Sequence, residues 1–308
     1  MKGINRRQAL GVLGVTAVGA MASVPSLASA ATIAQAGLNW PAPALDNPET
    51  ITVGTTFDSQ PPDLDVNKDY IIKLPSTTRN AALIIKGGNN VVIIGGHIRL
   101  PVNDGVSAHS RAIHITGNQG VVHIEGVLID TVAGGLGDGV TIQASNAIVQ
   151  VQKCRIMNIR GIQSGFHGDV IQPWGGVREL RVDQLTASSS YQGLFCPVSD
   201  GPIGRIIVKR TNITALPEEV PGANGGFMWW VGTQPSVTFS DFYVQPRSGR
   251  TLGQSVWPAD DDATNPCTVA NNLAVWPTMA NISGGIRGGQ PPGGDFCPNG
   301  VPGLGYTP

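Results

Sequence analysis

The sequence predicts an all-β solenoid, and three observations lead to this prediction. The chain has 308 residues with 41 Gly and 23 Pro, and these turn-forming residues interrupt it at nearly every tenth position. Between the turns lie short stretches of alternating apolar and polar residues, without the spacing of an amphipathic helix. Beyond position 81 this strand pattern returns at intervals of about 26 to 31 residues, which is typical of stacked structural repeats.

Residues 1–30 have the pattern of an export signal. Lys2, Arg6 and Arg7 give a positive start, residues 9–22 are apolar and uncharged, and residues 28–30 match an A-x-A cleavage site. The paired arginines before a mild, Gly- and Ala-rich apolar run resemble a twin-arginine signal, whose pathway exports folded proteins. An ordinary secretory signal or an uncleaved anchor is the alternative. We therefore expect a periplasmic or secreted protein.

The charge balance gives no support to nucleic-acid binding. The formal net charge is -1, and without the three basic residues of the signal the chain has 17 basic and 21 acidic residues, a net charge of -4. Nucleic-acid binding relies on a basic surface. No run after the signal approaches the ~18 apolar residues that a membrane-spanning helix needs. The sequence therefore predicts neither a nucleic-acid partner nor a membrane span after signal cleavage.

The stretch between the signal and the repeat differs from both in composition. Residues 31–80 are rich in Pro, Asn and Asp and contain only short apolar pieces. A solenoid exposes its first layer and needs an atypical terminal unit to cover it. We therefore interpret residues 31–80 as an irregular N-terminal cap that leads into the repeat at residues 81–250.

Six segments of the repeat align into two columns of mainly apolar residues. The first column holds Ile94, Ile124, Val151, Val182, Val208 and Phe239. The second, three residues later in each segment, holds His97, Val127, Cys154, Leu185, Thr211 and Phe242. Ahead of the segments lie further short strands, with Ile85, Ile115 and Ile142 nine residues before the first column. Stacked coils place these residues on one another, which builds a continuous core that no single coil has.

The coil length, the lack of helices and the aliphatic columns resemble the right-handed parallel β-helix of the pectate-lyase-like superfamily. The resemblance covers roughly residues 80–250 and is one of architecture, without a match to an individual family. It implies a single-stranded right-handed parallel β-helix, with polysaccharide-active enzymes as its commonest members. A β-sandwich is the competing fold, but it does not explain a strand pattern that returns about every 29 residues.

Residues 251–308 lose the period of the repeat. We expect them to form a Pro/Gly-rich C-terminal tail that packs back on the helix. Cys267 and Cys297 both lie in this tail, and because an exported chain permits disulfides we predict a bridge between them. Cys154 falls in an apolar column and is expected to be a small buried hydrophobe. No Cys or His residues have the spacing of a zinc site.

The stretch HGDVIQPWGG, residues 167–176, holds the densest group of chemically active side chains. At a constant repeat interval it superposes on two earlier strands and forms two ladders: His109, Asp138 and His167 at a turn, then His114, Gln143 and Gln172 at strand ends. Neighbouring rungs lie ~4.8 Å apart. Strand alternation directs the second ladder outward, where its polar groups would suit a sugar. Asp169 belongs either to a solvent-facing turn or to the interior.

Two kinds of glycan cleavage fit these residues. In a hydrolase, Asp138 and Asp169 would be the catalytic carboxyl pair, which such enzymes hold ~5 to 9.5 Å apart. In a lyase, His167 would be the base, and a cation would stabilise the enolate of a uronic acid. The candidates for that cation are Arg111, Arg160, Arg178 or a calcium ion held by carboxylates. The alternative is structural, since Asp at β-turns commonly bonds to the backbone.

Aromatic residues complete the candidate site. Trp174 and Tyr191 are candidates for stacking on sugar rings, as are Trp229 and Trp230, although aromatic residues of a solenoid also serve as core or cap. We therefore expect an exported carbohydrate-active enzyme that cleaves glycosidic bonds of a polysaccharide or oligosaccharide in a groove on the outer face of the β-helix. The alternative is a non-catalytic exported glycan-binding or structural protein. Calcium is the one cofactor left open.

Overall fold

Within the described residues, 37–199, 201–232 and 234–308, the computed structural model has twenty-one strands, most of them stacked into a right-handed parallel β-helix of about six turns. Near the C-terminal end, the eighteenth and nineteenth strands pair antiparallel, and so do the nineteenth and twenty-first. The predicted signal peptide, residues 1–30, lies outside these ranges. Ser107–Ser110 and Gly253–Ser255 form short 3-10 turns, and the described part of the chain has no other helix. No helix there is long and apolar enough to cross a membrane. The predicted all-β solenoid is confirmed.

The strands are short at the start of the coil and long in its middle. In chain order they are β1 (Glu49–Thr52), β2 (Tyr70–Lys73), β3 (Leu83–Lys86), β4 (Val91–Ile94), β5 (His97–Leu100), β6 (Arg111–Thr116), β7 (Val121–Glu125), β8 (Leu128–Thr131), β9 (Asp138–Gln152), β10 (Arg155–Ile159), β11 (Asp169–Gln172), β12 (Val177–Ser189), β13 (Gln192–Cys196), β14 (Ile203–Ala215), β15 (Phe227–Val231), β16 (Ser236–Gln245), β17 (Val256–Trp257), β18 (Thr268–Ala270), β19 (Leu273–Val275), β20 (Ile282–Ser283) and β21 (Ile286–Gly288). The long strands bend without interruption from one face of the coil to the next.

One face of the coil carries the candidate site and is called the groove sheet. It consists of β3, β6, the first half of β9, β11, β13, β15 and β17, paired in that order. Most other strands form a second sheet, which bends at a corner. There Lys153, Gln184, Arg210 and Asp241, equivalent residues of four rungs, each have a positive φ. One left-handed residue per rung thus turns the chain.

The predicted apolar columns form the interior of the coil. Ile85, Ile115 and Ile142 pair in register, and so do Ile124, Val151, Val182, Val208 and Phe239, all of them buried. In the first unit the prediction is wrong by one residue. Ile93 pairs with Ile124, whereas Ile94 is 38% exposed, and His97 pairs with Leu128 rather than with the second column. Two consecutive isoleucines match an apolar column equally well, so composition could not choose between them.

The predicted register of the groove sheet, with a constant interval from rung to rung, is wrong. Strand β6 pairs with β9 two residues short of that interval, which places Arg111 beside Asp138. Strand β9 pairs with β11 two residues beyond it, which brings Asp169 next to Asp138. Asp138 therefore has Arg111 and Asp169 as its neighbours, instead of His109 and His167.

The predicted outward ladder of polar residues changes for the same reason. His114 and Gln172 both pair with Thr141, and Gln143 pairs with Thr116, so His114, Gln143 and Gln172 do not form one column. A slip of two residues leaves every side chain on the same face of a strand. The apolar pattern predicts which residues point inward, but it does not distinguish registers that differ by a slip of this kind.

Parallel stacking begins within the segment predicted as the cap. Strand β1 pairs with β2, and β2 pairs with β4. Arg79, which is 0% exposed, ties the irregular part of this segment to the first coil, because its guanidinium donates to the backbone carbonyls of Gly54, Ser59 and Ala82. A buried cation thus holds together a region that has few apolar residues.

The N-terminal arm, residues 37–48, packs on the outside of the second sheet. The backbone of Trp40 exchanges two hydrogen bonds with the Gln152 side chain, at 3.2 and 2.6 Å. The Asn39 amide donates to Asp183 at 2.7 Å. Gln152 and Asp183 are both 0% exposed although they lie on the outer side of the coil, because the arm covers them.

The last part of the C-terminal tail, residues 289–308, runs back along the coil. Before it, β20 and β21 pair with β16 at the end of the solenoid. Asp295 then accepts a hydrogen bond from Arg155 at 2.7 Å, and the Tyr306 hydroxyl donates to Glu125 at 2.5 Å. Burial raises the pKa of Tyr306 above its ordinary value. The tail therefore reaches from the last rungs to the first half of the coil.

All four cysteines are buried free thiols, and the predicted Cys267–Cys297 disulfide is not formed. The backbone of Cys267 donates to Ala259 near the end of the coil. Cys297 lies on the middle rungs, where its backbone donates to Thr186. The two thiols are separated because the chain turns back along the coil between them. Cys154 is 1% exposed inside the coil, as a small buried hydrophobe would be.

Candidate functional site

Two adjoining cavities lie on the outer side of the groove sheet and share His167. The first cavity, of about 260 Å³, is lined by Arg111, Asp138, Gly165, Phe166, His167, Gln172 and Trp174. The second, of about 470 Å³, is lined by Gln163, His167, Tyr191, Gln192, Phe195, Asn224, Gly225, Phe227, Trp230 and Arg250. Together they form one elongated depression, called here the groove.

A tight loop before β11 holds His167 at the junction of the two cavities. The backbones of Gly161 and Gly168 approach so closely that a β-carbon on Gly161 would lie 2.0 Å from the Gly168 nitrogen. Above this crossing the Ile162 N–H donates to the Phe166 carbonyl at 2.8 Å and closes the loop. The glycine that follows His167 is therefore explained by a close backbone approach that no side chain would allow.

The two candidate catalytic carboxyls differ in their access to the groove. Asp138 is 8% exposed and lines the first cavity, whereas Asp169 is 0% exposed and belongs to the interior. The Asp169 N–H donates to Asp138 Oδ1 at 3.0 Å. Burial raises the pKa of Asp138 to about 7, and burial together with the charge of Asp138 raises the pKa of Asp169 well above its ordinary value. Only Asp138 can meet a substrate.

Arg111 is the cation that acts on Asp138. Its Nε lies 3.9 Å from Asp138 Oδ2, too far for a hydrogen bond, and its guanidinium carbon lies 5.7 Å from the centre of the Trp174 ring. Trp174 therefore supports Arg111 through a cation–π contact, besides lining the cavity. Two other predicted cations lie outside both cavities: Arg160, which pairs with Glu219, and the exposed Arg178.

His167 stands exposed between the cavities, on top of Tyr191. The two rings stack with their centres 5.0 Å apart and an interplanar angle of 26°. His167 Nε2 lies 3.3 Å from the Gln163 carbonyl oxygen, which can only accept, so this contact requires a proton on Nε2. Tyr191 is 5% exposed, so it supports His167 more than it offers a surface for a sugar.

The remaining predicted polar residues divide between the groove and its surroundings. Gln172 lines the first cavity. His114 and Gln143 line neither cavity and bind each other instead, with His114 Nε2 2.8 Å from Gln143 Oε1. Burial lowers the pKa of His114, which favours its neutral form. Of the predicted outward ladder, which consists of His114, Gln143 and Gln172, only Gln172 lines the groove.

An aromatic cluster lies at the second cavity, where Phe195 and Trp230 line it, and Trp230 is the one member that the sequence pattern indicates. Phe195, Trp230 and Trp257 pair along one outward column, and the rings of Trp230 and Trp257 stack 4.6 Å apart. Arg250 lies 5.0 Å from the centre of the Phe227 ring. In the sequence, this column is the aromatic residue that follows Leu194, Trp229 and Val256 on three successive strands. That alternation of an inward residue with an outward aromatic residue is the signal that could have found it. Trp229, also a candidate, is 0% exposed in the core.

Other parts of the described structure offer weaker sites. The described residues contain no group of three or more His, Cys, Asp or Glu residues arranged to hold a metal ion. A cavity of about 540 Å³ at the start of the coil is lined by Asp46, Asp69 and neighbouring polar residues. The Asp69 carboxylate there already accepts hydrogen bonds from Asp46, Asn89 and Asn90. These hydrogen bonds hold the Asp69 carboxylate in a structural role at the first coil.

Comparisons of the chain with protein-family models, with curated proteins and with solved structures found no match. The groove itself is therefore the basis on which a function can be assigned.

Proposed function

We propose that this protein is an exported carbohydrate-active enzyme that cleaves glycosidic bonds of a polysaccharide in the groove. The observation that carries the proposal is the meeting of Arg111, Asp138 and His167 in one open cavity, next to an aromatic cluster. A cation, a carboxyl with a pKa near neutrality and an imidazole whose Nε2 is hydrogen-bonded to Gln163 can supply charge stabilisation, a proton donor and a base. Export is supported by the signal pattern of residues 1–30.

The geometry favours a lyase over a hydrolase. A hydrolase of the two-carboxyl type needs both carboxyls at the scissile bond, and Asp169 is fully buried. In a lyase, Arg111 would neutralise the carboxylate of a uronic acid and make its C5 proton more acidic. His167 Nδ1 would remove that proton, the bond from C4 to the bridging oxygen would break, and Asp138 would protonate the leaving oxygen. The products would be one saturated and one unsaturated sugar end.

Glycan binding without cleavage is the second candidate. It is favoured by the second cavity, which is lined mainly by amide and aromatic side chains, the groups that hold a sugar without reacting with it. In this case the aromatic cluster and Arg250 would form the principal binding surface, and Asp138 would contribute a hydrogen bond only.

The test is an incubation of purified residues 31–308 with a panel of uronic-acid and neutral polysaccharides. A lyase produces ultraviolet-absorbing unsaturated ends, a hydrolase produces reducing ends alone, and a binding protein produces neither while it retards the glycan in a gel. Arg111→Gln and His167→Ala should each lower the rate at least ~100-fold. Arg205→Gln, an exposed arginine of β14 outside the groove, is the matched control. Activity that survives both groove substitutions would refute the assignment.

A further inference from the structure

Asp169 has a feature that the proposed chemistry does not use. Its side chain is 0% exposed, and neither carboxyl oxygen has a hydrogen-bond partner in the described part of the chain. An isolated buried carboxylate is very costly, so such a group is expected to keep its proton. Asp169 also lies on the rung next to Asp138, the one carboxyl that opens into the groove.

Among the residues that the structure describes, none pairs a positive charge with Asp169. Arg111 contacts Asp138 on the side away from Asp169, and His167 is turned to the exposed side of the loop. The titratable groups on β13 and the residue before it are Cys196 and Tyr191, and burial, together with the charge that Asp169 would carry, raises the pKa of both. Both groups therefore stay neutral and supply no charge that would stabilise a carboxylate, whereas burial and the charge of Asp138 disfavour ionisation of Asp169.

We propose that Asp138 and Asp169 act as one carboxyl dyad, in which Asp169 is a positioning residue that stays protonated behind Asp138. The dyad then carries at most one negative charge, and that charge sits on Asp138, facing the groove and Arg111. When Asp138 gives its proton to a leaving oxygen, the new carboxylate accepts the Asp169 N–H and has a neutral rather than a charged carboxyl beside it. The proton that His167 has taken then passes through solvent water to Asp138, which restores both the base and the dyad. The use of this proton rests on the proposed function, whereas the dyad itself does not.

Infrared spectroscopy of the full mature chain tests the dyad without any substrate. At about pH 8, well above the ordinary pKa of a carboxyl group, the wild type should show a protonated-carboxyl band that is absent from Asp169→Asn. If no such band is lost, Asp169 is ionised and the proposal is overturned. Asp169→Asn retains size and a hydrogen-bond donor, so this comparison does not depend on a variant that disrupts the core.

A titration of Asp138 separates a positioning role from a structural one. Asp138→Asn identifies the band of Asp138, whose midpoint in the wild type should lie near its pKa of about 7. Asp169→Asn, which is neutral like the protonated carboxyl, should keep that midpoint, whereas Asp169→Leu, which removes the polar neighbour, should raise it by about one pH unit. An unchanged midpoint in a folded Asp169→Leu would overturn the role. Glycan cleavage is measured separately, so failure of the dyad and failure of the proposed function are distinguishable.

Discussion

The buried carboxyl of Asp138 should make the protein less stable as the pH rises from about 4 to about 7. In the unfolded chain this group ionises near its ordinary pKa of 3.8, whereas in the folded coil burial raises the pKa to about 7. Between these values the folded state binds more protons than the unfolded state, so the free energy of unfolding falls with increasing pH. At about 1.4 kcal/mol per pH unit, the total loss is about 4 kcal/mol, and it is complete above about pH 7.

Substitution of Asp138 by Asn should remove this dependence. Asn keeps the shape, and its Oδ1 can still accept the N–H of Asp169, so the variant isolates the ionisation. Urea unfolding followed by circular dichroism at several pH values gives the free energies. Between about pH 4 and pH 8, the free energy of unfolding of the variant should rise by about 4 kcal/mol relative to that of the wild type. The double variant Asp138→Asn/Asp169→Asn is the control for the coupled carboxyl of Asp169. A difference between variant and wild type that does not change with pH would refute this account.

Three further predictions concern the parts that hold the coil together. Arg79→Met removes a donor from the carbonyls of Gly54, Ser59 and Ala82, of which Ala82 keeps Gln60 as a second donor, and should cost ~3 kcal/mol, with hydrogen exchange accelerating first in residues 49–86; uniform exchange would argue against a local role. Tyr306→Phe removes the hydrogen bond to buried Glu125 and should cost about 1.5–3 kcal/mol by urea unfolding, an expectation that an unchanged midpoint would contradict. Trp40→Ala removes the ring that Arg181 and Lys209 contact at 5.6 and 5.3 Å from its centre. This loss should loosen the N-terminal arm, and limited proteolysis should then cut near residue 40 faster than in the wild type.

Much of the fold could be predicted from the sequence, because the interior of a solenoid repeats. Ile85, Ile115 and Ile142 stack as expected, since aliphatic residues at a constant interval have few other ways to be buried. The exact register could not be predicted. A strand has a period of two, so Asp138 stays on the same side of its strand whether its neighbour is His167 or Asp169, and only the actual loop lengths decide.

The candidate site could be predicted in part, for a related reason. His167, Asp138, Gln172 and Trp174 meet as expected because they lie within one stretch and the rung before it. The second cavity is lined by residues from several later rungs, and no short sequence motif indicates that these residues lie together. Arg250 in particular comes from an irregular loop, where the sequence carries no period that would assign a position.

The two chain ends give this solenoid a property that stacked repeats alone do not have. In a simple stack each rung contacts only its neighbours, so unfolding can start at an end and proceed one rung at a time. Here Trp40 is bound to Gln152, 112 residues away, and Tyr306 to Glu125, 181 residues away. Neither terminal rung can fray without also uncovering polar groups buried in the middle. We therefore expect the ends and the centre, including the rungs that carry the groove, to unfold as one cooperative unit.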